Sequence, residues 1–234
     1  MATPRAPRRD AAENRELLLD AARTLLSLDP AASLEAIAVE AGLSRRAMYG
    51  HFPNRDALLE ALARRGTQMV LDAVAAVDDP DPLVRLALVA TAAWDHIEHV
   101  RTLTSATVRS PRAAIVDDGL QPLRARLVTT IEQGVRDGVI RDDIPADRLA
   151  RLLIDVVIAV FTETTRSDID IDGGRELVAA MTLSTLGLSA SESAALLGEN
   201  PQITAPRPRV DSLWPPTEAI RIPQSATESD GASS

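Results

Sequence analysis

Two adjacent arginines, Arg45 and Arg46, follow Ser44 and open the short run RRAMYGHF. A guanidinium on the first turn of a helix can make paired hydrogen bonds to the O6 and N7 edge of guanine, or it can meet a phosphate as a planar cation. Tyr49, His51 and Arg55 follow and add a phenol, an imidazole and another guanidinium, all suited to phosphate oxygens. Ala47 offers only a methyl group, which fits the methyl of thymine. This is the chemistry of reading a nucleic acid. A second constellation is Trp94, His96 and His99, with Asp95 and Glu98 interleaved. Two histidines three apart share a helix face, a spacing that metal ligands also use. No H-E-x-x-H occurs, and the one other histidine, His51, belongs to the first group, so no metal is expected. The chain has no cysteine, no Gly-rich phosphate loop and no nucleophile elbow. No catalytic residue and no cofactor are expected.

The arginines need a rigid mount, and the flanking residues provide one. The stretch from Ser33 to Leu62 predicts a short helix over Leu34–Glu40, a turn at Ala41-Gly42-Leu43 and a second helix over Arg45–Phe52. Gly42 falls where the chain leaves the first helix, a position that a residue without Cβ enters most easily. Ser44 stands where a hydroxyl can cap the next helix. Two helices joined by a short turn containing glycine form a helix-turn-helix, whose second helix enters the major groove. Leu34, Ile37, Ala38, Ala41, Leu43, Met48 and Phe52 supply the apolar side that packs on a third helix.

The run A-x-x-A-G-L-S-x-x-x-x-Y-x-H-F-x-N-R-x-x-L-L, formed here by Ala38, Ala41, Gly42, Leu43, Ser44, Tyr49, His51, Phe52, Asn54, Arg55, Leu58 and Leu59, resembles the TetR family of bacterial transcriptional repressors. The resemblance covers roughly the first 70 residues; the rest is similar only in helicity and length. It implies an N-terminal three-helix DNA-binding domain followed by a helical ligand-binding and dimerisation domain. It also implies that Tyr49 and His51 approach the DNA, and that Arg55 takes a position where the family usually has lysine. Ala47 departs from the Thr or Ser common in the family.

Composition sets the remaining bounds. Hydrophobic residues make up 45% of the 234 and aromatics 2%, so the core must be aliphatic. All 25 basic residues are arginine. The net charge of −9 is divided unevenly: the chain through Arg65 carries +1 and the remainder −10. The acidic part repels DNA away from the reading head and thereby favours one orientation. The basic start has no apolar stretch behind it, and Leu149–Phe161 is too short and too charged to span a bilayer. A cytoplasmic protein without membrane association is expected.

Along the chain, Met1–Arg9 reads as a flexible basic arm whose Arg8 and Arg9 can reach the minor groove. Asp10, with Glu13, is placed to cap a helix ending near Leu28. Residues 10–70 are assigned to the DNA-binding domain, with the motif at about 33–52. Pro53-Asn54 starts a long helix from Arg55 to about Val77. A regulatory and dimerisation domain is expected over 71–197. Its helices span Leu83–Val100, Arg101–Arg109, a stretch from Arg112 broken around Gly119–Pro122, Leu123–Asp137, Ala146–Thr165, Arg175–Leu186 and Ser189–Leu197. SDIDIDGG reads as an acidic loop, and Arg151 and Asp155 as an i, i+4 pair. The proline-rich stretch 198–234 reads as a disordered or extended tail.

The fold class is therefore all-α. The function expected is a ligand-responsive regulator, a repressor, that binds a palindromic double-stranded operator as a homodimer and is released by a small hydrophobic effector. Trp94, His96, His99 and Phe161 are the pocket candidates. Val156, Val160, Ala180, Ser184 and Gly187 are the dimer-seam candidates. One alternative is a DNA-binding regulator controlled by protein contact, with the tail as the contact segment. A more distant one is an enzyme fused to a DNA-binding head.

Overall fold

A computed structural model describes residues 7–99, 113–164, 166–167 and 169–205, and among them every regular element is helical. The helices are α1 (Pro7–Leu28), α2 (Leu34–Glu40), α3 (Arg45–His51), α4 (Arg55–Ala75), α5 (Pro82–His99), α6 (Ala113–Gly119), α7 (Gln121–Arg136), α8 (Ala146–Thr164), α9 (Ile171–Thr185) and α10 (Ala190–Glu199). A 3₁₀ turn follows at Pro201–Ile203. The expected segment Arg101–Arg109 lies outside the described residues.

The head is built from α1 to α3 and the first half of α4. Leu18, Leu19 and Ala22 of α1 meet Ile37 and Ala38 of α2, Met48 of α3, Phe52, and Leu58 and Leu62 of α4. α4 then continues into a second core, where Val70 and Val74 pack with Leu86 and Val89 of α5, Leu127 and Ile131 of α7, and Leu149 and Leu153 of α8. Arg126 of α7 reaches the end of α4 and donates to the carbonyls of Val74 at 2.5 Å and of Val77. A guanidinium there satisfies carbonyls that a helix end leaves free and complements the helix dipole. One rigid rod thus lies in both cores and is fastened at its far end to the body.

α5 is the central helix of the body and packs on α4, α7, α8 and α9. Trp94 lies between α5, α8 and α9: its ring meets Phe161 edge-on at 6.5 Å, and its indole N–H donates to the Ile171 carbonyl at 3.1 Å. A Cβ on Gly174 would stand 2.2 Å from the indole, so that position of α9 admits glycine alone. One residue on, Asp95 pairs with Arg175, whose Nε and Nη2 donate to the same carboxylate oxygen at 2.9 and 2.6 Å. Both side chains are buried, 7% and 4% exposed, while Asp172, also bonded to Arg175, is open to solvent.

Several boundaries differ from expectation. α1 starts at Pro7, so Asp10, Arg8 and Arg9 sit inside the helix, and residues 1–6 of the expected arm lie outside the described residues. Proline is at home in a helix's first turn, where no N–H is needed. The acidic stretch contributes a helix start: Asp170 accepts from the Gly173 N–H at 2.8 Å and α9 begins at Ile171. Arg151 pairs with Asp147 at 2.8 Å, one turn before it, and Asp155 faces solvent. The body also runs past 197: α10 ends at Glu199, and Ile203 is fully buried in the body core. The segment 198–205 is therefore folded, and the rest of the expected tail lies outside the described residues.

Replacing Asp95 with alanine would leave the Arg175 charge buried with one exposed partner. Asp95→Ala is expected to lower unfolding free energy by about 3 kcal/mol, and Asp172→Ala by under about 1 kcal/mol, in urea denaturation followed by circular dichroism.

Candidate nucleic-acid interface

The exposed edge of the head is α3 with its turn. α2 ends in a Schellman motif: Gly42, at φ 66°, donates to the Val39 carbonyl at 3.0 Å, and Leu43 to the Ala38 carbonyl at 2.9 Å. Ser44 then accepts from the Ala47 N–H at 3.1 Å. Ser33 and Asn54 cap α2 and α4 in the same way. Each helix start is fixed by its own side chain, and Met48 and Phe52 bury the inner side of α3. The mount expected from the sequence is formed.

On the outer side Arg45 is 73% exposed, and Arg46 is exposed beside it. Ala47 and His51 are half-buried, Tyr49 is exposed, and the His51 ring leans on Phe52. Arg45 is not loose. Its guanidinium meets Glu35 of α2 at 3.2 Å and stands over the Tyr49 ring at 5.5 Å. The Tyr49 hydroxyl donates to the same Glu35 carboxylate at 2.8 Å. That hydrogen bond, aided by the backbone and by Arg45, holds the Glu35 carboxyl below the usual carboxylate range. Glu35 was not anticipated. It lies on the other helix of the motif, 14 residues before Tyr49, and no local pattern marks it.

Arg55, expected to meet a phosphate, also has a task within the head. Its guanidinium donates to the carbonyls of Ala32 and of Pro30, the latter at 2.5 Å. It straps the loop between α1 and α2 onto the start of α4, satisfying carbonyls that would otherwise lack partners. Arg8 and Arg9 fall in the first turns of α1, with side chains outside the described residues.

In the body, Trp94 and Phe161 pack against each other and are buried in one apolar cluster. His96 is buried on its own: Nδ1 donates to the Ala92 carbonyl at 3.1 Å, and Nε2 is buried with no hydrogen-bond partner. A carbonyl can only accept, so Nδ1 carries a proton, and whenever the ring holds one proton Nε2 presents a lone pair. The His99 side chain lies outside the described residues. Of the seam candidates, Val160 turns into the core beside Trp94, and Gly187 is a turn residue at φ 108° against Arg141. Val156 and Ala180 are half-buried and Ser184 is exposed. Among the described residues no group of three or more His, Asp or Glu gathers to hold a metal ion, and no helix is long and apolar enough to cross a membrane.

Residues 18–62 match the family described as bacterial regulatory proteins, tetR family. Among solved structures, the fold is similar to that of RolR in complex with resorcinol, with TM-score 0.59 and 20% identity over 86% of this chain and 97% of that one. It is similar to SmeT, the repressor of the Stenotrophomonas maltophilia multidrug efflux pump SmeDEF, with TM-score 0.58 and 23% identity over 73% of this chain and 88% of that one. It is also similar to FadR from Bacillus subtilis in complex with stearoyl-CoA, with TM-score 0.62 and 15% identity over 73% and 97%. Comparison of the sequence with curated proteins gives no significant match. At these identities the structural likeness is one of fold, a helix-turn-helix head on a helical body.

Arg46 is exposed, whereas Arg55 is bonded to the loop between α1 and α2. Arg46→Ala is expected to change unfolding free energy by no more than about 0.5 kcal/mol. Arg55→Ala should cost about 2 kcal/mol by leaving loop carbonyls unpaired. Urea titration of the two variants without DNA distinguishes them.

Proposed function

We propose that the chain, whose residues 18–62 match the tetR family of bacterial regulatory proteins, is a ligand-responsive transcriptional repressor that binds a palindromic operator as a homodimer. The observation that carries the reading is α3 itself. Its inner side is locked into the head core by Met48, while its outer side presents the Arg45 and Arg46 guanidiniums at the end that contacts base edges in this motif. Arg45 is the base-reading candidate, and Arg46 and His51 are assigned to the backbone. Ala47 is assigned to a thymine methyl.

Two-fold pairing is assigned to α8 and α9. These helices pack on each other and leave Leu152 and Met181 exposed, 38% and 44%, beside half-buried Val156 and Ala180. Large apolar side chains left exposed on a pair of packed helices suit an isologous seam. Paired heads then read half-sites about one DNA turn, ~34–36 Å, or a multiple of it apart. Release by a small molecule is supported by the solved relatives whose structures hold resorcinol and stearoyl-CoA. In this chain the effector is assigned to the body as a mainly apolar molecule bearing one hydrogen-bond donor for His96 Nε2. A buried acceptor without a partner is costly, and a bound hydroxyl would remove that cost. α4, packed in both cores, is the element through which such binding can alter head spacing.

Fluorescence anisotropy of the full chain against the intergenic DNA upstream of its own gene, beside unrelated DNA, tests the reading. Tight binding to the upstream duplex alone, weakening steeply with salt, is expected; equal binding to both at every salt concentration argues against it. Sedimentation at micromolar concentration should give a dimer, and Met181→Glu should shift it towards monomer.

A further inference from the structure

Resting on that reading of the head, we infer that Glu35 is a specificity-determining residue: together with Tyr49 it positions Arg45 for base reading, and it penalises binding to DNA of the wrong sequence. An acid on a DNA-facing surface calls for an explanation. Glu35 lies on α2, one turn of chain away from the reading helix, with its carboxylate turned across the motif towards α3. One oxygen accepts from the Tyr49 hydroxyl at 2.8 Å and meets the Arg45 guanidinium at 3.2 Å. The same guanidinium stands over the Tyr49 ring. Three contacts thus close a triangle among two helices. An arginine at a helix start, most of it in water, would otherwise range over many rotamers, all of which must be given up when it meets a base. Here that restriction is in place before DNA arrives, which is how a recognition site gains discrimination without new contacts.

The charge acts in the same direction. Non-specific binding is made almost entirely of cations meeting phosphates, and it is indifferent to sequence. With Glu35 beside it, Arg45 is neutralised towards phosphates, and the carboxylate repels them. The arginine contributes fully only where its donors find a base edge that matches, as guanine does. Glu35 therefore weakens every wrong complex more than the right one, which is discrimination by an unfavourable contact. The acid also sits in the first turn of α2, where it favours the helix dipole. That role alone would alter stability and leave sequence preference untouched.

The test uses duplexes selected from a random-sequence pool by the wild-type full chain, and scrambled duplexes of the same length, titrated by anisotropy at a series of salt concentrations. For Glu35→Ala, affinity for scrambled duplex should rise about threefold and the selected-to-scrambled ratio should fall about tenfold. The salt slope on scrambled duplex should steepen by about 1, as Arg45 becomes free to neutralise a phosphate. Glu35→Gln, which keeps an acceptor for Tyr49 and lacks the charge, should give a ratio between the two. An unchanged ratio in Glu35→Ala overturns the inference, whether both affinities rise together, fall together or stay as they are. A wild-type chain that selects no sequence overturns it together with the function proposed above, so the two failures are distinct.

Discussion

α4 is shared by two hydrophobic cores, and the rest of the arrangement depends on that. Leu58 and Leu62 are committed to the head, and Val70 and Val74 to the body. Burial on both sides fixes the rod's direction, because rotating or sliding it in one core would expose apolar surface in the other at roughly 25 cal/mol per Å². Arg126 removes the remaining freedom at the far end by taking up the carbonyls that α4 leaves open. A change in the packing of α5 or α7 therefore has a mechanical route to α3. Close-packed interiors move between discrete arrangements more readily than they deform.

At the other end of that route, the head keeps its polar groups in local circuits. Ser33, Ser44 and Asn54 each satisfy the start of the helix they precede, and Arg55 satisfies the loop between α1 and α2. The head needs little from the body to hold its shape, and its outward arginines can be devoted to recognition. The Glu35, Tyr49 and Arg45 triangle extends the same economy to the reading surface. The acidic remainder of the chain, far from α3 in sequence, adds long-range repulsion that disfavours the wrong orientation on a duplex.

What could be read from the sequence was what is local. Gly42, Ser44 and Asn54 announce their roles within a few residues, since a cap or a left-handed turn involves only its neighbours. Asp170 carried such a signal too, three residues before Gly173, but the alternating acids around it resembled a loop. Long-range pairings left no trace. The strap that Arg55 makes could not be read, because its acceptors lie 23 and 25 residues earlier in the chain. Arg175 and Asp95 meet across 80 residues, and nothing in DGGREL marks that arginine as buried. Trp94 and Phe161 lie 67 residues apart in sequence, and nothing local announces their mutual contact. Composition misled at the end: among so many prolines, one isoleucine sufficed to bring the chain back onto the body.

That isoleucine bears on the order in which the molecule can acquire its structure. The head closes through contacts within its first 62 residues, among α1, α2, α3 and the start of α4. The body core is incomplete until Ile203 returns to lie against α5, a contact between segments roughly a hundred residues apart in sequence. Local contacts form early and distant ones late, and during synthesis the N-terminal unit emerges first. The head can thus close in a nascent chain while the helical body is still unfinished. The helix-turn-helix comes into being ahead of the helical body that holds the far end of α4.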